Sequence, residues 1–512
     1  MNPILLTDGY KLGHHRQYPK GTQYVYSNWT PRSNTYFPEA TEGSVVFGIQ
    51  YFIKEYLIKQ FNEHFFNKPK EQAIKEFVDI VDPFTGIDSV GTAHIEALHD
   101  LGYLPIKIKA LPEGTVCPIR CPMLTIVNTL PEFFWLTNYL ETLLSCTLWM
   151  PCTTATTSRL YRKELERHAK VTAFPEEVEK GFLCHDFSMR GMGGIEASII
   201  SGMAWLSSFI GSESLPAITK IKEYYPTNNL IAATVPATEH SVMCAGGMND
   251  EFSTFKRLIT ETYPSGFISI VSDTWDFWQV IEDYLPRLKK DILARDGRVV
   301  IRPDSGNPVD IICGLRTNPQ YHTRIHEGKY YCSYNPFDEE PKYIEVSKGQ
   351  YYGAYYMLGE TIGWNTTIKG FMYPSTKIGL IYGDAITLER QKQIYSRLES
   401  ANMAACNLVL GCGSYSCQFR SRDSLGFAVK ATFCMINDKP TEIFKQPKTD
   451  DGTKNSLKGL IRVELVNGKY VPIDQATPDF EDGGCLQTVF EDGKLIKEFT
   501  LDEIRANIEY SL

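Results

Sequence analysis

Residues 298–308 read RVVIRPDSGNP. A short apolar run ends in a polar cluster and then meets Gly and Pro, as a buried parallel strand does where it passes into a loop. Five further stretches share this form: GFLCHDF (181–187), LIAATVPATEH (230–240), FISIVSDTWD (267–276), IGLIYGDAI (378–386) and NLVLGCGS (407–414). Helical patterns lie between most of them, at 195–209, 251–262, 274–286 and 388–401. Repeated strand, polar cluster and helix predict an α/β fold, with an irregular (β/α) barrel as catalytic domain over 181–424. In such folds chemistry gathers where the strands end.

Outward from this core the texture changes. Residues 1–180 read as a helical and β section. Phe47, Tyr51, Tyr56, Leu57 and Phe61 lie near helical spacing over 46–66, and 90–101 reads as a short helix. IKIKALPEG (106–114) alternates and then turns. Residues 131–148 open with Pro131 and Glu132, which suit a helix start. Residues 425–512 return to strands, and VNGK and EDGK are good hairpin turns. This β-rich section is expected to pack with the N-terminal part. The segment 309–377 interrupts the barrel rhythm. Alternation in PKYIEVSKGQYYGAYYML (341–358) predicts a β-hairpin excursion inserted there.

The chain has 512 residues, 43% hydrophobic and 22% charged, so it can bury more than one core. Its 52 basic and 61 acidic residues leave a net charge of −9. That balance argues against nucleic acid or an anionic membrane as the main partner. No run reaches the ~18 apolar residues of a membrane span, and MNPILLTDGYK is too short in its apolar part for a secretory signal. Thirteen scattered cysteines without a C-x2-C pair read as buried thiols in a reducing, cytoplasmic compartment.

The polar clusters carry the chemistry. Arg302 and Asp304 are two apart and point to the same side. Arg302 can fork onto a phosphate, and Asp304 can accept from ribose hydroxyls or hold a metal. An ion pair closing a tight turn is the structural alternative. In HDFSMRG (185–191), Phe187 offers a ring platform and Arg190 a donor, before glycines that enter a helix. VPATEHS (235–241) places Glu239 and His240 after a strand. SIVSD (269–273) and YGD (382–384) supply Asp273 and Asp384, carboxylates suited to Mg²⁺ or ribose, and GCGS (411–414) supplies backbone donors. Basic residues gather late, at Arg420, Arg422, Lys430, Lys445, Lys454 and Lys458. DDGTK (450–454) lacks the preceding apolar strand of a type I phosphoribosyl pyrophosphate loop, so it is not read as one.

These motifs, with the opening LLTDGYKLGHHRQYP and the closing TVFEDGKLIKEFTLDEIR, resemble the nicotinamide phosphoribosyltransferase family of type II phosphoribosyltransferases. The resemblance runs nearly end to end, interrupted by 309–377, which is longer here. It implies an irregular α/β barrel beside a β-rich domain built from N- and C-terminal segments, with an N-terminal helical section. It implies that nicotinamide and phosphoribosyl pyrophosphate become nicotinamide mononucleotide and pyrophosphate, with Mg²⁺ and with ATP as co-substrate. It also implies a homodimer with shared active sites.

By the same resemblance, Phe187 and the second subunit's copy of Tyr10 would sandwich the pyridine ring, and Arg190 would reach its amide oxygen. Arg302, Asp304, Asp384 and Gly413 would surround the ribose and its 5′-phosphate. Asp273 would lie near metal and pyrophosphate, and Arg32, Arg422, Lys430 and Lys445 would hold phosphates. Ser269, Gly383 and Ser414 lie in the matching motifs and join them as substrate contacts. His240 matches the histidine that accepts phosphate from ATP, and with Asp273, Arg302 and Asp304 it makes the implied catalytic set. The metal ligands stay open. Glu213 stands where the family's nicotinamide form has aspartate, and an acidic acceptor favours the amide over nicotinate. Ser414 replaces an expected glycine and Ala428 an expected serine. A nicotinate phosphoribosyltransferase, or a non-catalytic ligand-binding protein on the same scaffold, remain the alternatives.

Overall fold

The computed structural model describes residues 1–335, 341–383, 385–445 and 457–512. Asp384, Lys454 and the DDGTK stretch lie outside the described residues. Six parallel strands stand side by side in the order Gly211–Ser212, Cys184–Asp186, Leu408–Cys412, Ile378–Tyr382, Asp296–Arg302 and Ser265–Val271. The stretch 230–240 forms no long strand. It joins the two edges of this sheet through single bridges, Gly211 with Ala233 and Ala237 with Ser269. Pro236 has no N–H to continue a ladder, but its carbonyl accepts from Ser269 N at 2.8 Å. The sheet thereby curls into an irregular barrel.

Helices wrap the outside of the barrel. Leu285–Ala294, Ala354–Ile362 and Leu388–Ser400 bury Ile292, Leu358 and Ile394 in one core with Ile268, Ile301 and Leu380. The tyrosine-rich part of 341–358 therefore differs from its alternating pattern. Only Ile344–Val346 is a strand, the third of a small sheet with His322–His326 and Lys329–Ser333. Lys348–Tyr352 and Ala354–Ile362 are helices. Gly353, at φ 87, separates them, and a Cβ there would overlap the backbone of Gly314. Burial of Tyr355, Met357, Leu358 and Ile362 against the barrel outweighs the period-two pattern.

A second core lies under a seven-stranded antiparallel sheet. Its order is Lys439–Glu442, Ala428–Ile436, Thr22–Thr30, Leu124–Asn128, Ile106–Ala110, Gln487–Glu491 and Lys494–Leu495. Strands from both ends of the chain are thus interleaved, as expected. Asn467 and Gly468 (φ 52 and 75), like Asp492 and Gly493 (φ 47 and 78), form the left-handed pairs that tight hairpins need.

Helix Glu141–Thr172 links the two cores. Leu144 and Leu148 sit in the sheet's core, while Tyr161 and Leu165 sit in the barrel's. The sequence pattern predicts a helix over 131–148, whereas this helix runs on past Pro151 to Thr172. Burial holds it intact. Thr156 and Thr157 donate to the carbonyls of Cys152 and Thr153 at 2.7 and 2.9 Å, so their hydroxyls are satisfied within the helix.

Candidate active site

Side chains alternate in and out along the barrel strands. His185 and Phe187, Phe267 and Ser269, and Arg298, Val300 and Arg302 line one cavity of about 1090 Å³. The intervening Ile268, Ile270, Val299 and Ile301 face the helices. Polar and aromatic side chains stand among the inward positions and Gly379 adds none, so the barrel is hollow rather than filled. Arg190, Glu213 and Glu239 line the same cavity.

At the carboxyl ends of the strands, the Arg302 guanidinium lies 5.5 Å from the centre of the Phe187 ring. Its Nη2 is 3.8 Å from Asp304 Oδ2, so the ion-pair reading and the ligand reading share the same two residues. Asp273 fixes the loop after the strand: Asp304 N donates to its Oδ2 at 2.9 Å and Ser305 Oγ to the same atom at 2.6 Å. Tyr382 OH donates to Ser305 O at 2.7 Å. Gly383 leaves room at this point, since a Cβ there would lie 2.7 Å from both Arg302 Nε and Asp304 Oδ1. His240 Nε2 stands 3.9 Å from Asp273 Oδ1, and its Nδ1 is hydrogen-bonded to Thr274 Oγ1 at 3.2 Å.

Among the described residues, Arg302 Nε, Asp304 Oδ1, Asp273 Oδ1 and Ser269 Oγ are buried without a hydrogen-bond partner. Buried polar atoms are rarely left so. Four of them, on the neighbouring strands Ser265–Val271 and Asp296–Arg302 and the loops that follow, mark a place prepared for a polar ligand, although Asp273 and Asp304, like His240, are not among the residues that line the cavity. Two unpartnered carboxylate oxygens fit Mg²⁺, which takes one or two carboxylates and leaves its other positions to water and phosphate. No three His, Cys, Asp or Glu side chains among the described residues gather as a self-sufficient metal site.

The cavity lining also holds Glu213. His185 Nε2 donates to its Oε1 at 2.9 Å, and Thr234 Oγ1 donates to the same atom. Burial alone would raise the Glu213 carboxyl, but the bonds from His185 and Thr234 and the Arg302 charge hold it below the usual range. Sequence reasoning missed His185 and Thr234. Strand alternation could have found His185, which shares a face with Phe187 two residues on. Asp186 faces the other way, where it accepts from Ser188 N at 2.9 Å and shapes the turn before Arg190. Gly413 precedes the short helix Ser414–Gln418. A Cβ at Gly191 would overlap Ser414 Oγ, so this serine packs on the glycine turn of HDFSMRG.

The basic residues form a separate group on the seven-stranded sheet. Lys430 is paired with Asn28 across the strands. Burial lowers its ammonium below the usual range and Glu141 opposes, while Arg32, Lys445 and Lys11 lower it further. Burial likewise lowers Arg32, as does neighbouring Arg422. Arg32 Nε donates to Gly426 O at 2.8 Å, and Arg422 Nη2 lies 3.0 Å from Asp423. Lys11, which sequence reasoning also missed, is buried against Glu141 at 2.6 Å and sits 5.1 Å from the ring of exposed Tyr10. Neither this group nor Tyr10 belongs to the cavity lining. Ala428 opens the same strand as Lys430. Arg420 lies instead over Phe37 at 3.8 Å, and Lys458 over Phe444 at 4.3 Å.

Two family models match the chain: nicotinate phosphoribosyltransferase (NAPRTase) over residues 182–494, and the nicotinamide phosphoribosyltransferase N-terminal domain over residues 2–108. A protein of Acinetobacter baylyi named nicotinamide phosphoribosyltransferase is 45% identical, across 100% of this chain and 98% of its own length. One of the same name from Mycoplasma pneumoniae is 33% identical across 89% of this chain and 94% of its own. Among solved structures, nicotinate-nucleotide pyrophosphorylase from Pyrococcus furiosus shares the fold, with TM-score 0.55 and 14% identity, covering 100% of this chain and 95% of that one. Human nicotinic acid phosphoribosyltransferase does likewise, with TM-score 0.53 and 14% identity over 99% and 93% of the two chains.

Proposed function

The chain belongs to the nicotinate phosphoribosyltransferase family, and from that premise we propose that it transfers the phosphoribosyl group of phosphoribosyl pyrophosphate to nicotinamide. The products are nicotinamide mononucleotide and pyrophosphate, a step of NAD salvage. One observation carries this reading. The Phe187 ring lines one cavity with Arg190, Glu213 and Arg302, and Arg302, 5.5 Å from that ring, carries with Asp304 and Asp273 a set of buried unpartnered polar atoms.

The reaction breaks the bond from ribose C1 to the pyrophosphate oxygen, which leaves with the electron pair. The pyridine N1 lone pair forms the new bond to C1, so no base is required. Positive charge grows on the ribose and negative charge on the leaving group, as in glycosyl transfer. Phe187 stacks the ring, Arg190 donates to the amide oxygen and Glu213 accepts from the amide nitrogen, which aims N1. Arg302 holds the 5′-phosphate side and Asp304 the ribose hydroxyls, with Gly383 and Gly413 allowing close approach. Asp273 and Asp304 would hold Mg²⁺, which when bound neutralises the pyrophosphate as it departs.

His240 accepts a phosphoryl group from ATP and couples its hydrolysis to synthesis; its position 3.9 Å from Asp273 supports this role. Tyr10, Arg32, Arg422, Lys430 and Lys445 serve the active site of a second subunit in a homodimer; their position on the sheet, apart from the cavity, supports this. The chain works in the cytoplasm, in keeping with thirteen unpaired cysteines. No helix among the described residues is long and apolar enough to cross a membrane. The test is turnover of purified protein with phosphoribosyl pyrophosphate, Mg²⁺ and either nicotinamide or nicotinate. Faster nucleotide formation from nicotinamide supports the reading, and preference for nicotinate favours the neighbouring activity.

A further inference from the structure

Glu213 is held more firmly than a residue that merely follows a strand end. It comes directly after strand Gly211–Ser212, and its Oε1 accepts from two different parts of the barrel. His185 Nε2 donates from strand Cys184–Asp186 at 2.9 Å, and Thr234 Oγ1 donates from the segment that closes the barrel. Both bonds end on one oxygen. Oε2 is left for a donor inside the cavity that Glu213 lines.

The His185 side chain is itself fixed, only 3% exposed, with its ring 4.7 Å from Phe187 and 5.5 Å from Phe182. Its Nδ1 is buried without a partner among the described residues. A proton on Nδ1 would be a buried donor with no acceptor. The ring therefore carries its proton on Nε2 and gives it to Glu213.

A glutamate side chain has several free torsions and loses that freedom when it binds something. Two donors, one on strand Cys184–Asp186 and one on the segment bridged to both sheet edges, remove that freedom beforehand. We propose that His185 and Thr234 are positioning residues, and that their hold on Glu213 sets the preference for an aromatic amide over the corresponding acid. The proposal rests on the reading of the ring pocket given above. With Oε1 anchored, Oε2 accepts an N–H of the carboxamide. A carboxylate in the same place sets its own oxygens against a fixed, ionised carboxylate. Released from its anchors, Glu213 swings aside and Arg190 receives acid and amide alike.

The experiment uses the full chain, with nicotinamide and nicotinate as the two probes. Thr234→Val keeps the shape and removes one donor. It is expected to lower the nicotinamide-to-nicotinate ratio of kcat/KM about tenfold, the loss of one charge-assisted hydrogen bond, mainly by raising KM for nicotinamide. Thr234→Ser restores the donor and the ratio, and His185→Gln, which keeps an N–H, lowers the ratio less than His185→Ala. In a Glu213→Ala background, Thr234→Val adds nothing, since there is no carboxylate left to position. An unchanged ratio in Thr234→Val, or an equal fall with and without Glu213, overturns the proposal while leaving the proposed activity standing. A wild-type chain that makes no product from nicotinamide removes both.

Discussion

His240 carries the most specific role among the proposed site residues. It is half-exposed, with Thr274 on one ring nitrogen and Asp273 at 3.9 Å from the other. A phosphoryl group placed there adds about −1.5 to −2 charges next to the groups proposed for metal and pyrophosphate. His240→Ala is therefore expected to abolish the rate gain that ATP gives, read as the ratio of initial rates with and without ATP. A variant that keeps the gain takes the role from His240. At this scale the sequence was informative where motifs paired a strand with a polar end. Phe187, Arg190 and Arg302 were all visible and line one cavity, and Asp304 stands beside Arg302. His185 and Thr234 were not, because each acts through Glu213, and a contact between strands has no signature within either strand.

Single elements were legible where local chemistry decided them and obscure where burial did. VNGK and EDGK became left-handed hairpin turns, as Asn-Gly and Asp-Gly dictate. Helix Glu141–Thr172 ran on past Pro151, and the tyrosine stretch of 341–358 became helical, because each packs on a core that the sequence does not display. The helix that begins at Ile49 shows a further consequence of such packing. Buried Glu113 accepts from Gly48 N and Gln50 N at its start, at 3.0 and 2.6 Å, and from Tyr225 OH at 3.0 Å. Burial pushes its carboxyl up to about 7 from the ordinary 4.5, and these donors only partly oppose it. A folded-state value above the unfolded one means that the native form binds the proton more tightly. The stability it contributes is full below about pH 4.5 and is lost as pH rises through about 7. Thermal melts at pH 5 and pH 8 should show a smaller drop for Glu113→Gln than for wild type. Equal drops would show that Glu113 does not titrate across this window.

At the scale of the molecule, the acidic balance of −9 and a polyphosphate substrate are compatible because charge is divided. Carboxylates stand at the barrel mouth, and Arg32, Arg422, Lys430 and Lys445 gather on a sheet woven from both chain ends. That interleaving was legible in outline from the strand patterns. The separation of the basic group from the cavity was not, since it depends on how the sheet is placed around the barrel. Shared active sites would rejoin the two. Mixing inactive Phe187→Ala and Lys430→Ala chains, unfolded and refolded together, should then recover about a quarter of wild-type activity, because half the dimers hold one intact site. No recovery, with mixed dimers present, would mean that each chain completes its own site.

Whether this chain builds a nucleotide on nicotinamide is read from turnover. The direct measurement is the initial rate of pyrophosphate-releasing turnover of phosphoribosyl pyrophosphate with nicotinamide or nicotinate, each with and without ATP, in the presence of Mg²⁺. The predicted result is nicotinamide mononucleotide as the main product, faster than the nicotinate product and faster still with ATP. Nicotinamide that binds without turnover, or nicotinate as the better substrate under every condition, would contradict it.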